Sequence, residues 1–175
     1  MPKIRINPDQ ILRKKARALV SDEIKTEATK KLLTEMAAAL AEAENGIGLA
    51  APQIGVPKAV FIVLKEIANP KTVDEVKKTE QDKINKKEVL VFINPRIIKH
   101  SKKAEMMNEG CLSVPGIYGN IKRYRQVTLR AVDGSGNKII RGAGGLLAQV
   151  FQHECDHLSG RLFIDSATDL KKHEK

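Results

Sequence analysis

Between Asp22 and Glu44 the apolar residues Ile24, Ala28, Leu32, Leu33, Met36, Ala37 and Leu40 recur at three- and four-residue intervals, the period of one face of an α-helix. Ser21 or Asp22 can cap the start and Asn45-Gly46 supplies a stop, so the spacing predicts one long amphipathic helix near the N-terminus. The segment that follows, Gly46-Ile47-Gly48-Leu49-Ala50-Ala51-Pro52-Gln53-Ile54-Gly55, is too small and too glycine-rich for a helix face and reads as a loop that lets backbone approach another group closely. Short β-prone runs occur at Ala59 to Leu64, Val89 to Asn94 and Val127 to Val132. The last leads through Asp133-Gly134-Ser135-Gly136-Asn137 into Lys138-Ile139-Ile140, the pattern of a hairpin. A second helix is predicted from about Gly145 to Leu158, with Leu146, Leu147, Val150, Phe151 and Leu158 apolar and Ser159-Gly160 ending it. Ile67 to Glu88 is dominated by Lys, Glu, Asp and Asn, which predicts a solvated excursion, part helical, without chemistry. There is no internal repeat, and this mixture of elements predicts an α+β fold.

The chain is 175 residues long, enough for one domain over 1–175 that hides roughly 70% of its unfolded surface without a metal or disulfide staple. Aromatic residues are 3% of the total and Trp is absent, so the core must be built mainly from aliphatic side chains. The longest apolar runs fall far short of the roughly 20 residues that cross a bilayer, so no membrane partner is expected. The start, Met1-Pro2-Lys3-Ile4-Arg5, has neither a secretory apolar run nor the character of a transit peptide, which predicts a cytoplasmic protein. Cys111 and Cys155 are then expected to be reduced thiols rather than a bridge. The formal charge of +10 comes from Lys spread along the whole chain and by itself names no partner; specific DNA binding is not expected.

Chemistry enters at His153-Glu154-Cys155-Asp156-His157, which has the pattern H-E-x-x-H. On a helix, positions four apart lie one turn up the same face, so both imidazoles can meet one metal ion, while Glu154 can reach a water on that ion without being a ligand. Hydrolysis needs a third ligand and an open position, and the residue pattern offers Cys155, Cys111 or Asp165. Cys155 is two residues from His153, about 200° round the helix, and points away from the metal face; it reads better as a small core residue. Asp165 follows the helix-ending glycine and looks like a solvated loop acid. Cys111 sits in Asn108-Glu109-Gly110-Cys111-Leu112-Ser113-Val114-Pro115-Gly116, a turn-like segment that can present a thiolate or hold an inert thiol.

Three segments together resemble the peptide deformylase family: Gly46-Ile47-Gly48-Leu49-Ala50-Ala51-Pro52-Gln53, then Glu109-Gly110-Cys111-Leu112-Ser113, then Gln152-His153-Glu154-Cys155-Asp156-His157. The similarity runs from about residue 4 to 168 and keeps the order of elements. The resemblance implies short antiparallel strands packed around a central C-terminal helix that carries the H-E-x-x-H pattern. It also implies Cys111, His153 and His157 as metal ligands, Glu154 as general acid and base, and Gln53 with the backbone N–H of Leu112 as oxyanion donors. The activity implied is removal of the N-formyl group from the N-terminal methionine of nascent proteins, by attack of a metal-activated water, with release of formate.

One divalent ion is expected. A thiolate in the ligand set makes the site softer, admitting Zn²⁺, Co²⁺ or Ni²⁺, and the resemblance implies Fe²⁺ as the working metal. Gly48 and Gly110 are expected beside the substrate backbone, with Ile47, Leu146 and Val150 lining an apolar pocket for methionine. Gln149, where relatives often place an aliphatic residue, and Tyr118, where some carry Arg, depart from the family pattern. Some relatives reach the ribosome through a longer C-terminal helix; here any such contact is expected to use other basic residues. Two competing readings are a general H-E-x-x-H metallopeptidase, for which Cys111 would not matter, and a basic RNA-binding module with structural zinc, which would need a fourth protein ligand.

Overall fold

The computed structural model describes residues 2–68 and 88–172, and all but the first two and the last of the residues in the Lys-rich stretch from Ile67 to Glu88 lie outside them. The helices are α1 (Ser21–Ile24), α2 (Glu27–Glu42), α3 (Lys65–Ala68) and α4 (Gly145–Leu158). The strands are β1 (Gly48–Ala50), β2 (Val60–Leu64), β3 (Val89–His100), β4 (Ala104–Cys111), β5 (Val114–Tyr124), β6 (Gln126–Val132), β7 (Lys138–Gly144) and β8 (Thr168–Lys172). They form two antiparallel sheets, one of order β1-β2-β3-β6-β7 and one of order β4-β5-β8.

The larger sheet is covered on both faces at its β1–β2–β3 end, which is why β2 reads as an unbroken apolar run rather than an alternating one. Val60, Ile62 and Ile93 point toward Leu32, Met36 and Leu40 of α2. Phe61, Val63, Phe92 and Leu129 point the other way, toward Leu147 and Phe151 of α4. Phe92 lies between Phe61 and Phe151, with ring centroids 4.9 and 5.0 Å apart. Burying a Phe or Leu fully contributes about 1.5–3 kcal/mol, so α4 is pinned by its apolar stripe and its opposite face is left for polar work.

Several expectations need correction. The long N-terminal helix is two pieces, because the Thr26 side chain accepts from the Thr29 N–H and starts a new helix, leaving Ser21–Ile24 as a separate turn. The glycine-rich loop is only partly a loop: Gly48–Ala50 pairs with β2, and Ala51–Ile54 is a 3₁₀ turn. The strand expected to end at Asn94 runs on to His100 past a bulge. Asn94 takes positive φ there while its amide bonds both the N–H and the C=O of Leu19, so Asn-Pro marks an irregularity rather than an end. Strands β4, β5 and β8 had no counterpart in the sequence reading.

Candidate metal centre

Cys111 is not in an open loop. It is the last residue of β4, where the β4–β5 register shifts from Gly110 opposite Tyr118 to Cys111 opposite Val114, leaving Leu112–Ser113 as the turn. From there the thiol reaches α4, where Cys111 Sγ lies 3.2 Å from His157 Nε2. The ligand atoms of Cys111, His153 and His157 all fall within 4.8 Å of one another. Four-coordinate bonds of about 2.0–2.3 Å place ligand atoms roughly 3.3–3.6 Å apart, so the three donors sit close to the spacing one ion needs.

The nitrogens are sorted by what lies behind them. His153 Nδ1 bonds Glu109 Oε2 at 2.9 Å, which leaves Nε2 for an ion and fixes the ring, as carboxylates behind ligand histidines do. Glu109 shares a face of β4 with Cys111, since residues two apart on a strand point the same way. Its carboxylate takes a two-pronged bond from Arg123, at 2.7 and 2.9 Å, and Arg123 also bonds Asp156 at 2.6 Å. Burial works to raise the Glu109 carboxyl, yet the bonds from Arg123 and His153 outweigh it and hold its pKa at about 2. Burial likewise opposes charge on His153, but Cys111 and Glu109 outweigh it and raise its pKa, while burial and the charge on His153 lower that of His157. A cation among these groups takes the place of that proton, so binding is expected to release it.

Glu154 is 3% exposed. Burial pushes its carboxyl up to about 7, and a cation beside it would pull that value back down. Its Oε2, with His157 Nδ1, is a buried polar atom that has no hydrogen-bond partner among the described residues; such atoms call for a water or ion. Gly48 is required here because a Cβ would stand 2.6 Å from Glu154 Oε1. Gln53 Oε1 accepts from the Ala50 N–H at 2.8 Å, which fixes the amide so that Nε2 faces Ser113 Oγ at 3.2 Å and Cys111 Sγ at 3.7 Å. A neutral donor is thus aimed at the cluster. The donor set, the spacing and the unpartnered Glu154 oxygen all fit a single divalent ion with an open side.

A cleft of about 430 Å³ opens onto this cluster. Ile47, Gly48, Gly110, Leu112, Leu146 and Val150 all line it, with Val150 buried and Leu146 49% exposed at its rim. Gln149 does not hang free in it: its Nε2 bonds the Asn108 carbonyl at 2.9 Å. The Tyr118 ring lies against Gly110, where a Cβ would stand 2.6 Å from it.

The other two candidate ligands lie elsewhere. Cys155 packs against the core around α4, and burial pushes its thiol up to about 12, so it is inert. Asp165 is an exposed acid, as expected, and pairs with Arg13 at the surface while accepting from the Leu162 N–H. The sequence reading gave no role to Glu109, Arg123, Asp156 or Gln152. Gln152 ties α4 to β5 by bonding both the N–H and the C=O of Tyr124 at 2.9 Å. Glu109 had a signal in its two-residue offset from Cys111, legible only once β4 is known to be a strand.

Comparison with known proteins gives a consistent result. The family model for polypeptide deformylase matches residues 1–173. The chain is 39% identical over 173 residues to a peptide deformylase of Natranaerobius thermophilus, covering 99% of this chain and 96% of that one. The fold superposes on the peptide deformylase of Thermotoga maritima with a TM-score of 0.79 at 30% identity, covering 96% and 98% of the two chains. It also matches a peptide deformylase from Synechococcus elongatus solved in complex with actinonin, with a TM-score of 0.76 at 31% identity, covering 95% and 78%.

Proposed function

The chain belongs to the polypeptide deformylase family, and from that premise we propose how its own residues remove the formyl group from the N-terminal methionine of nascent proteins. It is a metal-dependent hydrolase of the deformylase type. The observation that carries the residue assignment is the meeting of Cys111 Sγ, His153 and His157 within 4.8 Å, beside the buried Glu154 carboxylate. We read 1–175 as one catalytic domain, supported by the family match over 1–173.

Cys111, His153 and His157 would hold the ion, with the Glu109–Arg123 pair keeping His153 oriented. A divalent ion there supplies Lewis acidity that polarises the formyl oxygen and brings the pKa of water from about 15.7 toward 7. Glu154 would take the proton from the attacking water and return it to the departing methionine nitrogen; burial raises its carboxyl and a neighbouring cation lowers it. Negative charge grows on the formyl oxygen, where Gln53 Nε2 and the Leu112 N–H donate. Gln53→Ala is therefore expected to lower kcat by about 100-fold or more, the usual cost of one oxyanion donor, with little change in KM; steady-state kinetics on formyl-Met-Ala-Ser measures both.

β1 ends one sheet and β4 ends the other, and residues of both line the cleft. An extended peptide can pair along such an edge by main-chain bonds and so tolerate varied sequences, leaving selectivity to methionine against Ile47, Leu146 and Val150. Formate release from formyl-Met-Ala-Ser, with acetyl-Met-Ala-Ser left uncut, tests the activity.

We read Fe²⁺ as the working ion from the family resemblance; one thiolate beside two imidazoles equally admits Zn²⁺, Co²⁺ and Ni²⁺, and affinity order alone does not choose among them. Protein purified without oxygen is expected to lose activity in air, and unchanged activity would argue for zinc or nickel. We place the reaction in the cytoplasm, supported by two unbridged cysteines. No helix among the described residues is long and apolar enough to cross a membrane. Contact with the ribosome surface belongs to the same reading, supported by the formal charge of +10.

A further inference from the structure

Taking the deformylase reading as given, we infer that residues 4–7 form a clamp that sets the distance between the two donors assigned to the formyl oxygen, Gln53 Nε2 and the Leu112 N–H. Arg5 and Asn7 are then positioning residues that act through their backbone N–H groups. The two donors belong to different parts of the fold. Gln53 is in the 3₁₀ turn Ala51–Ile54, which follows β1 of the larger sheet. Leu112 is in the turn between β4 and β5 of the smaller one. The Arg5 N–H donates to the Gln53 carbonyl at 2.7 Å, and the Asn7 N–H donates to the Ser113 carbonyl at 2.8 Å. Two residues of chain reach at most about 7 Å, so one short run of backbone holds a residue of each turn.

The direct link between the turns is the donor itself. Gln53 Nε2 lies 3.2 Å from Ser113 Oγ and 3.7 Å from Cys111 Sγ. An amide that turns to a formyl oxygen gives up part of this link, whereas the backbone bonds from Arg5 and Asn7 are untouched by substrate. The run is anchored on both sides. Ile4 packs against the core cluster that holds Leu49, Ala51 and Ile54, and Leu12 packs with Val114 and Ile121 of β5. The Arg5 side chain is 54% exposed and 3.7 Å from Asp9, so its contribution to the clamp is its backbone.

Gln53 and Ser113 are 2% and 0% exposed. Either carbonyl, if it lost its donor, would be left buried without a partner, and that cost is relieved by a shift of the turn. A shift there reaches the reaction, because an oxyanion donor works by being in place before charge develops. Misplacement by about 1 Å can cost about 100-fold.

The test removes one N–H from the metal-loaded full chain. Arg5→Pro lacks the donor to Gln53; the control is Lys3→Pro, since the Lys3 N–H bonds nothing among the described residues. On formyl-Met-Ala-Ser, Arg5→Pro is expected to lower kcat by about 10- to 100-fold, with KM and metal content close to wild type. In a Gln53→Ala background the same change should cost less than about threefold, because a clamp that works through Gln53 then has nothing to position. A merely structural role would cost the same in both backgrounds. Ile4→Ala, which loosens one anchor and keeps both N–H groups, should show a smaller kcat loss that also disappears with Gln53→Ala, and it carries the test if Arg5→Pro does not fold. ¹⁵N spectra of the zinc-loaded protein need no turnover: the Gln53 side-chain amide should shift or broaden in Arg5→Pro and stay in place in Lys3→Pro. The clamp is overturned if Arg5→Pro keeps wild-type kcat, if its loss is equal in both backgrounds, or if Lys3→Pro loses as much. A wild-type chain that releases no formate overturns the deformylase reading instead, and the Gln53 amide spectra still decide the clamp.

Discussion

Glu154→Ala is expected to cut formate release from formyl-Met-Ala-Ser by about 100- to 10,000-fold, the span of a general acid–base group, while the protein keeps its ion. Glu154 is 3% exposed and its Oε2 has no partner among the described residues. A carboxylate buried without a partner is costly unless its proton chemistry is used. Because the Cys111–His153–His157 cluster does not include Glu154, metal content should stay at the wild-type level and kcat should take the loss. Glu154→Gln keeps the volume and should fall about as far, which separates proton transfer from packing. A loss below about 100-fold in either variant would remove Glu154 from the role assigned to it.

Cys111→Ala is expected to be the most damaging change for metal retention, with affinity falling by more than the 10- to 100-fold typical of partners behind a ligand and activity falling with it. Cys111 ends β4 where the pairing skips Pro115, Gly116 and Ile117 of β5, and no other thiol is placed to replace it: Cys155 belongs to the core around α4. Cys155→Ala and Asp165→Asn, the other two ligand candidates legible in the sequence, should leave metal content unchanged. This comparison also decides against an H-E-x-x-H peptidase, in which Cys111→Ala would be nearly silent. Metal analysis after dialysis, with formate release on the same samples, reads both quantities.

What the sequence made legible follows from period and chemistry. The H-E-x-x-H helix was legible because Leu147, Val150 and Phe151 mark its buried face and the two histidines fall one turn apart, all within a single element. β2 and β6 were legible from apolar runs bounded by turn residues. The β4–β5 hairpin was not, because Glu105, Asn108, Glu109 and Lys122, Arg123 give polar strands whose partners are each other, α4 and β8 rather than a continuous core. That omission hid the reason Cys111 meets the helix. It also hid Arg123, whose 2.7 Å bond to Glu109 joins residues fourteen apart that only a hairpin brings together. Thr26 splitting the N-terminal helix was missed for a local reason: the apolar period runs through it, and the cap competes with that period.

The proposed centre is one sulfur and two imidazoles around a single ion with an open side. X-ray absorption at the zinc edge of zinc-loaded protein tests it directly. The expected shell is one sulfur at about 2.3 Å and two imidazole nitrogens at about 2.0–2.1 Å, completed by one light atom from solvent. A shell with no sulfur, with two sulfurs, or with a third imidazole closing the coordination would contradict it.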